Sequence, residues 1–219
     1  MDEVLAELIG IILGDGMIGI YKRKGRPGNQ YRLKISMNAE KDREYSEYVA
    51  EIIEDIFSVK PIINFRKNEK TLDVIVTNPR VITTLLDIGM KKSPKWGAAI
   101  IPKRFLRNDL ALKVLRGYVD TDGCIVVFNN NGTIYPRIEM KVCPSPMQRQ
   151  FISILEKNGF RPRVNDIGKG KCRIMLSGKK KLMLWNRIIG FSNSRNKKML
   201  GGYLKKIAGS GFEPLVSGL

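Results

Sequence analysis

Apolar residues at Leu5, Leu8, Ile9, Ile12 and Leu13 recur at three- and four-residue intervals, and this spacing predicts an amphipathic helix over 3–14. Gly16 is expected as its left-handed cap. Two strand-like segments follow at about 17–24 and 30–38, joined by Gly25-Arg26-Pro27-Gly28-Asn29. The second alternates strictly: Tyr31, Leu33, Ile35 and Met37 face one way, and Gln30, Arg32, Lys34, Ser36 and Asn38 the other. Tyr45, Tyr48, Val49, Ile52, Ile53 and Ile56 mark a helix over about 41–57. Strands fit 59–67 and 71–77, and Asn78-Pro79 opens a helix over 79–87, with proline in the first turn.

The same order then recurs. A helix over about 109–121 precedes strands at 124–128 and 134–142, set around Asn129-Asn130-Asn131-Gly132. A helix over 147–158 stops at Gly159, strands fit 160–167 and 170–176, and helices fit 179–188 and 195–207. Both leading helices end on the same dipeptide: Leu8-Ile-Gly-Ile-Ile-Leu-Gly-Asp15-Gly16 and Leu115-Arg-Gly-Tyr-Val-Asp-Thr-Asp122-Gly123 lie 107 residues apart. From each Asp to a following Ile-Gly (Ile88-Gly89, Ile189-Gly190) the spacing is 73 and 67 residues, so the repeat covers a whole αββαββα unit. The expected class is α+β with two pseudo-symmetric halves. The expected division is 1–94, a packed linker 95–107 too apolar to be free, 108–208, and a loose tail 209–219.

Composition narrows the partner. Lys and Arg number 39 against 21 Asp and Glu, a formal charge of +18 on 219 residues. So large an excess points to a polyanion, with nucleic acid ahead of a membrane surface, because no basic amphipathic helix with an aromatic face is present. There is no histidine, which excludes histidine-activated nucleophiles, histidine-ligated zinc and HNH-type nuclease chemistry. Cys124, Cys143 and Cys172 are scattered without a C-x-x-C, so they are expected to pack in a reducing compartment. The apolar run at 8–14 is too short to span a bilayer.

The paired motifs resemble those of the LAGLIDADG homing endonucleases, in the single-chain form with two motifs and of the archaeal intron-encoded type. The second copy keeps Leu115, Gly117, Asp120, Asp122 and Gly123; the first keeps Gly10, Asp15 and Gly16 and carries Leu13 where the name has its first Asp. Beside the resemblance, Gly10 and Gly14, matched by Gly117 and Thr121, place small residues on one face of each helix, so the two backbones can approach closely. That approach would bring Asp15 and Asp122 together at two helix C-termini, where carboxylates are disfavoured unless a cation sits between them.

The resemblance implies a saddle of two antiparallel four-stranded sheets packed through the motif helices. It implies Mg²⁺ (with Mn²⁺ or Ca²⁺ in the same sites) held by Asp15 and Asp122 with the carbonyls of Gly14 and Thr121, a hard oxygen set. It also implies a basic residue beside each metal: Lys92, with Lys91 in reserve, in the first half, and Arg195 or Lys197 in the second, where Asn196 displaces the usual Lys. The activity implied is a double-strand break with short 3′ overhangs in a long asymmetric DNA target, made by a monomer inside the cell, in the cytoplasm or nucleoid. With no splicing module in the chain, an intron origin is favoured. A maturase or a regulator that has lost cleavage is the alternative, and the presence of both Asp residues argues against it. DNA is expected on the polar sheet faces, at Lys22, Lys24, Arg26, Gln30, Arg32, Lys34, Ser36, Arg66, Arg137, Glu139, Lys141, Arg161, Arg163, Asn165, Lys171 and Arg173, with Glu139 able to accept from a cytosine amino group. Two sheets end to end would cover about 60 Å, or roughly 18 base pairs.

Overall fold

The computed structural model describes residues 2–22, 25, 27–131 and 133–209, so the expectations for Lys24, Arg26 and residues 210–219 lie outside the described residues. The first half runs α1 (Asp2–Asp15), β1 (Gly16–Lys22), β2 (Asn29–Asn38), α2 (Arg43–Phe57), β3 (Ile62–Phe65), β4 (Thr71–Val76) and α3 (Pro79–Asp87). A 3₁₀ turn at Lys103–Leu106 leads to the second half: α4 (Asn108–Asp122), β5 (Gly123–Asn130), β6 (Thr133–Val142), α5 (Pro146–Lys157), β7 (Arg163–Asp166), β8 (Cys172–Ser177) and α6 (Lys179–Ile188). Helix α7 (Ser194–Gly209) closes the chain.

The two sheets have the same topology, β1-β2-β4-β3 and β5-β6-β8-β7, with every neighbouring pair antiparallel. Their registers match as well: Gly16 pairs with Ile35, and Gly123 with Met140. Alternation decides which face is covered. Leu33, Ile35, Leu72 and Val74 are buried under Val49, Ile53, Ile82 and Leu85; Ile138, Met140, Ile174 and Leu176 are buried under Phe151, Leu155, Leu182 and Trp185. Asn78 caps α3 through its side-chain oxygen, which accepts from the amides of Arg80 and Val81. The opposite sheet faces carry the polar set.

Helices α1 and α4 form the seam, and glycine sets their separation. A Cβ on Gly10 would lie 2.1 Å from the Val114 carbonyl oxygen, and one on Gly117 would lie 2.1 Å from that of Glu7. These are backbone atoms with no room to yield. Across the seam Arg116 also holds the buried Glu7 carboxylate.

Gly16 departs from expectation. It is the first residue of β1 and takes no left-handed conformation; Gly123 likewise is extended, at φ −115° and ψ 174°. Each helix passes directly into its strand. The glycines are needed because a Cβ would come within 2.5 Å of the Ile12 Cα at Gly16 and 2.8 Å of the Val119 Cα at Gly123. The segment between the halves lies against α5: Met147 donates its amide to the Ala99 carbonyl, and Ile101 exchanges two hydrogen bonds with the Gln150 side chain. Among the described residues no helix is long and apolar enough to cross a membrane.

Candidate active site

The strand that follows each motif helix starts at the seam, so Asp15 and Asp122 are delivered to the same place by equivalent local structure. A Cβ on Gly14 would sit 2.1 Å from the Thr121 hydroxyl and 3.6 Å from the Asp122 amide, which places the two motif ends side by side. Burial pushes the Asp15 carboxyl up to about 7, and the neighbouring Asp122 charge adds to that rise. Burial raises Asp122 as well, while Lys95 and Lys141 oppose the rise. Two carboxylates so placed resist ionising together, and a cation between them would reverse that.

The cation present beside them is an ammonium. Lys95 Nζ donates to the carbonyls of Ile12, Leu13 and Gly14 at 2.8, 2.7 and 2.7 Å. These are carbonyls of the last turn of α1, where a helix carries partial negative charge. Burial depresses the Lys95 pKa to about 8, against the pull of Asp122 and Asp15. Sequence reasoning missed this residue. Lys91 and Lys92 are exposed, and Ser93 ties the intervening turn to β1 by donating its amide to the Ile18 carbonyl. The chain thus reaches the helix end three residues beyond Lys92.

The second motif end is finished differently. Asn193 Nδ2 donates to the Asp120 carbonyl at 2.9 Å, and Arg195 approaches the same oxygen at 3.5 Å. Both also reach Asp42 of the first half, Asn193 Nδ2 at 2.9 Å and Arg195 Nη1 at 3.2 Å. The buried Asp120 carboxylate accepts from the Ser192 and Asn193 amides and from Asn196 Nδ2. Burial, the largest influence, still lifts its pKa to about 6. Asn196 therefore serves Asp120, which stands where the first motif has Leu13. Lys197 is exposed.

A groove of about 430 Å³ opens beside this end, lined by Lys41, Thr121, Asp122, Gly123, Cys124, Glu139, Lys141 and Arg195. Cys124 is exposed here and not packed as expected, because it falls on the outward register of β5 opposite Glu139. For a metal, the available protein ligands are Asp15 and Asp122 with the carbonyls of Gly14 and Thr121. The Gly14 carbonyl already accepts from Lys95. Among the described residues no three acidic, Cys or His side chains cluster as ligands, so the remaining positions would fall to water and substrate oxygens.

The outward sheet faces gather most of the predicted DNA-binding set. Gln30, Arg32, Lys34 and Ser36 share one face of β2, and Arg137, Glu139 and Lys141 one face of β6, with Arg173 on β8 and Arg163 and Asn165 on β7 beside them. Lys22 falls on the other parity, with Ile18 and Ile20, at the exposed end of β1. Arg66 is engaged by Asp73 at 2.8 and 3.0 Å and by Glu69 at 3.0 Å, beside a Ser36–Asp73 hydrogen bond of 2.6 Å. Both oxygens of Glu139 face arginines, Arg137 and Arg173. Lys171 lies over the Trp96 ring, and exposed Arg161 accepts from Lys181 through its carbonyl.

Asp15 and Asp122 thus lie close together where two helix ends abut, and the outward faces of the two sheets carry basic residues. The model of the LAGLIDADG DNA endonuclease family matches residues 6–182, and the chain belongs to that family of phosphodiester-cleaving hydrolases. Among solved structures it is similar to I-DmoI in complex with DNA and Mn, at 17% identity and TM-score 0.63, covering 87% of this chain and 98% of that one. It is also similar to the I-LtrWI LAGLIDADG homing endonuclease bound to target DNA, at 12% identity and TM-score 0.61, covering 96% and 92%. Further I-DmoI complexes with DNA hold Ca or were obtained in the presence of Mg. The replication factor C small subunit of Methanocaldococcus jannaschii is 26% identical over 204 residues, 91% of this chain; the chain spans 10% of that relative's length.

Proposed function

We propose that the chain is a monomeric, site-specific homing endonuclease that cuts both strands of a long asymmetric DNA site in the presence of Mg²⁺, leaving short 3′ overhangs. The observation that carries this is the seam: Gly10 and Gly117 let two helices abut closely, and Asp15 and Asp122 at their ends lie near enough to influence each other's charge. The halves 1–94 and 108–208 would each hold one half-site. Because the two-fold interface is internal to the chain, no second copy is needed. A DNA substrate implies an intracellular setting.

The residues fit a hard divalent cation. Their donors are all oxygen, and burial raises both carboxyls, with the Asp122 charge adding to the rise at Asp15. Asp15 and Asp122, with the Gly14 and Thr121 carbonyls, would hold the metal, which when bound supplies Lewis-acid stabilisation of the phosphate and of the departing 3′-oxygen. Lys95 fixes the first helix end and sets an ammonium beside Asp15. With its three N–H donors on α1 carbonyls, its charge would offset negative charge developing at phosphorus. Lys95 thus takes the role that the resemblance gave to Lys92. Arg195, steadied by Asp42, is the corresponding cation of the second half; Lys197, exposed two residues further along α7, is left as a phosphate contact. Gln30, Arg32, Lys34, Lys141, Arg163 and Asn165 would meet the duplex from the sheets.

The test is selection. The chain, incubated with Mg²⁺ and a random duplex library, should enrich one site of about 18 base pairs, and sequencing of the cut ends should show 3′ extensions. Uniform degradation, or no cleavage with either Mg²⁺ or Mn²⁺, would refute the reading.

A further inference from the structure

The outward face of the second sheet holds a charge arrangement that the first sheet lacks. Glu139 lies at the centre of β6 with its side chain only 12% exposed. One carboxylate oxygen meets Arg137 Nη2, and the other faces Arg173 Nε at 3.5 Å. Arg137 is braced from a second side by the Phe128 ring, 4.4 Å below its guanidinium carbon. Both arginine side chains keep about a third of their surface open, at 27% and 35%. One carboxylate cannot neutralise two guanidiniums, so the cluster keeps a net positive charge, and each arginine retains outward N–H donors.

The matched registers show how specific this is to one half. Arg137 corresponds to Arg32, but Glu139 corresponds to Lys34. The first sheet has its carboxylate on β4 instead, where Asp73 is 4% exposed and is held by Arg66 and Ser36. Arg32 and Lys34 therefore present long side chains without a carboxylate between them. A long cation that must be ordered on contact loses more freedom than one already set, and Arg matches the O6 and N7 acceptors of guanine in a planar fork.

We propose that Glu139 is a positioning residue that presets Arg137 and Arg173 to read two guanines in the major groove of the half-site bound by the second half. This rests on the proposed docking of duplex DNA along the sheets. Glu139 then contacts no base, and the cytosine contact considered from sequence gives way, because both its oxygens face arginines.

The experiment uses the full chain and the duplex it selects from a random library, with binding measured for every single-base-pair variant of that duplex. The wild type is expected to require guanine at two positions, both in the half-site of the second half, each worth about tenfold in affinity. Glu139→Gln keeps the shape and removes the charge. It should flatten both positions to about twofold, bind unrelated duplex several times more tightly than the wild type, and leave the other half-site unchanged. Arg137→Lys and Arg173→Lys keep the charge and lose the fork, so each should flatten one of the two positions; they report even where Glu139→Gln fails to fold. A wild type with no guanine requirement in that half-site overturns the proposal. So does a Glu139→Gln profile that superimposes on the wild type, or lysine variants that lower binding equally on all sequences. A wild type that selects no site at all overturns the endonuclease reading instead.

Discussion

The two motif ends are alike in backbone and unlike in how their charge is settled. In the first, one lysine from outside the repeated unit caps three carbonyls of α1. In the second, Asn193 and Arg195 share the work and are themselves anchored on Asp42 across the seam. Leu13 and Asp120 occupy the same place in the two motifs, and the difference spreads from there: a buried carboxylate demands donors, which Ser192, Asn193 and Asn196 supply. Pseudo-symmetry in such a chain governs where the acids fall, not what neutralises them.

The largest effect should come from the acids that the halves share. Asp15→Asn and Asp122→Asn should each abolish double-strand cleavage of a plasmid bearing the selected site, yet keep site binding within about tenfold, because carboxylates that hold metal would carry no base readout. Near wild-type linearisation by either variant would remove that residue from the site. Lys95→Met should break the comparison from one side: cleavage of one strand slows, nicked plasmid accumulates, and binding changes little. Lys92→Ala should leave the ratio of nicked to linear product unaltered. If the two variants exchange behaviours, the catalytic assignment returns to Lys92.

Stability probes the seam itself. Gly10→Ala drives a methyl group into the Val114 carbonyl and should cost about 3 kcal/mol in thermal or denaturant unfolding, with Gly117→Ala similar. Gly202→Ala, where no atom lies within 4 Å, should be neutral or mildly stabilising, as expected for glycine replaced within a helix. Salt compares the sheets. Neutralising about 8 phosphates gives a slope of log K against log[salt] near −7, and Lys34→Ala should make it shallower by about 1. Arg66→Ala should barely move it, since that charge is already spent on Asp73 and Glu69.

A further comparison concerns pH. With its pKa near 7 in the folded chain and an ordinary carboxylate value when unfolded, Asp15 keeps a proton on folding that the unfolded chain has released. Metal-free stability should therefore fall as pH rises from about 4 to about 7 and then level. Asp15→Asn should melt above the wild type at pH 8 and level with it at pH 4, and Mg²⁺ should narrow the gap at pH 8. A gap of the same size at both pH values would show that the group does not titrate in this window.

The periodicities of 3.6 and 2 placed nearly every helix and strand to within a few residues, because each half buries one clean face. The glycine spacing announced the close seam for the same reason: it is local and repeated. What stayed hidden depends on contacts distant in the chain. Nothing near Asp42 predicts Asn193, 151 residues on, and nothing before Lys95 shows that the turn at Ser93 would carry it back to α1. Gly16 was misjudged for a different reason. Asp-Gly after a helix ordinarily signals a left-handed stop, whereas here the strand begins at once and the constraint is the Ile12 backbone.

The connector between the halves also sets terms for anyone who would exchange them. Lys95 lies beyond α3, yet it caps the end of the first motif helix, while Ala99 and Ile101, a few residues later, are fastened to α5 of the second half. A chimaera joined at the obvious border, just after α3, would inherit its first-motif lysine from whichever parent donated the connector. Grafts made there would mix active-site parts without touching a motif, so a transplantable first module must extend through Lys95, with a new partner chosen to keep the grip of Met147 and Gln150.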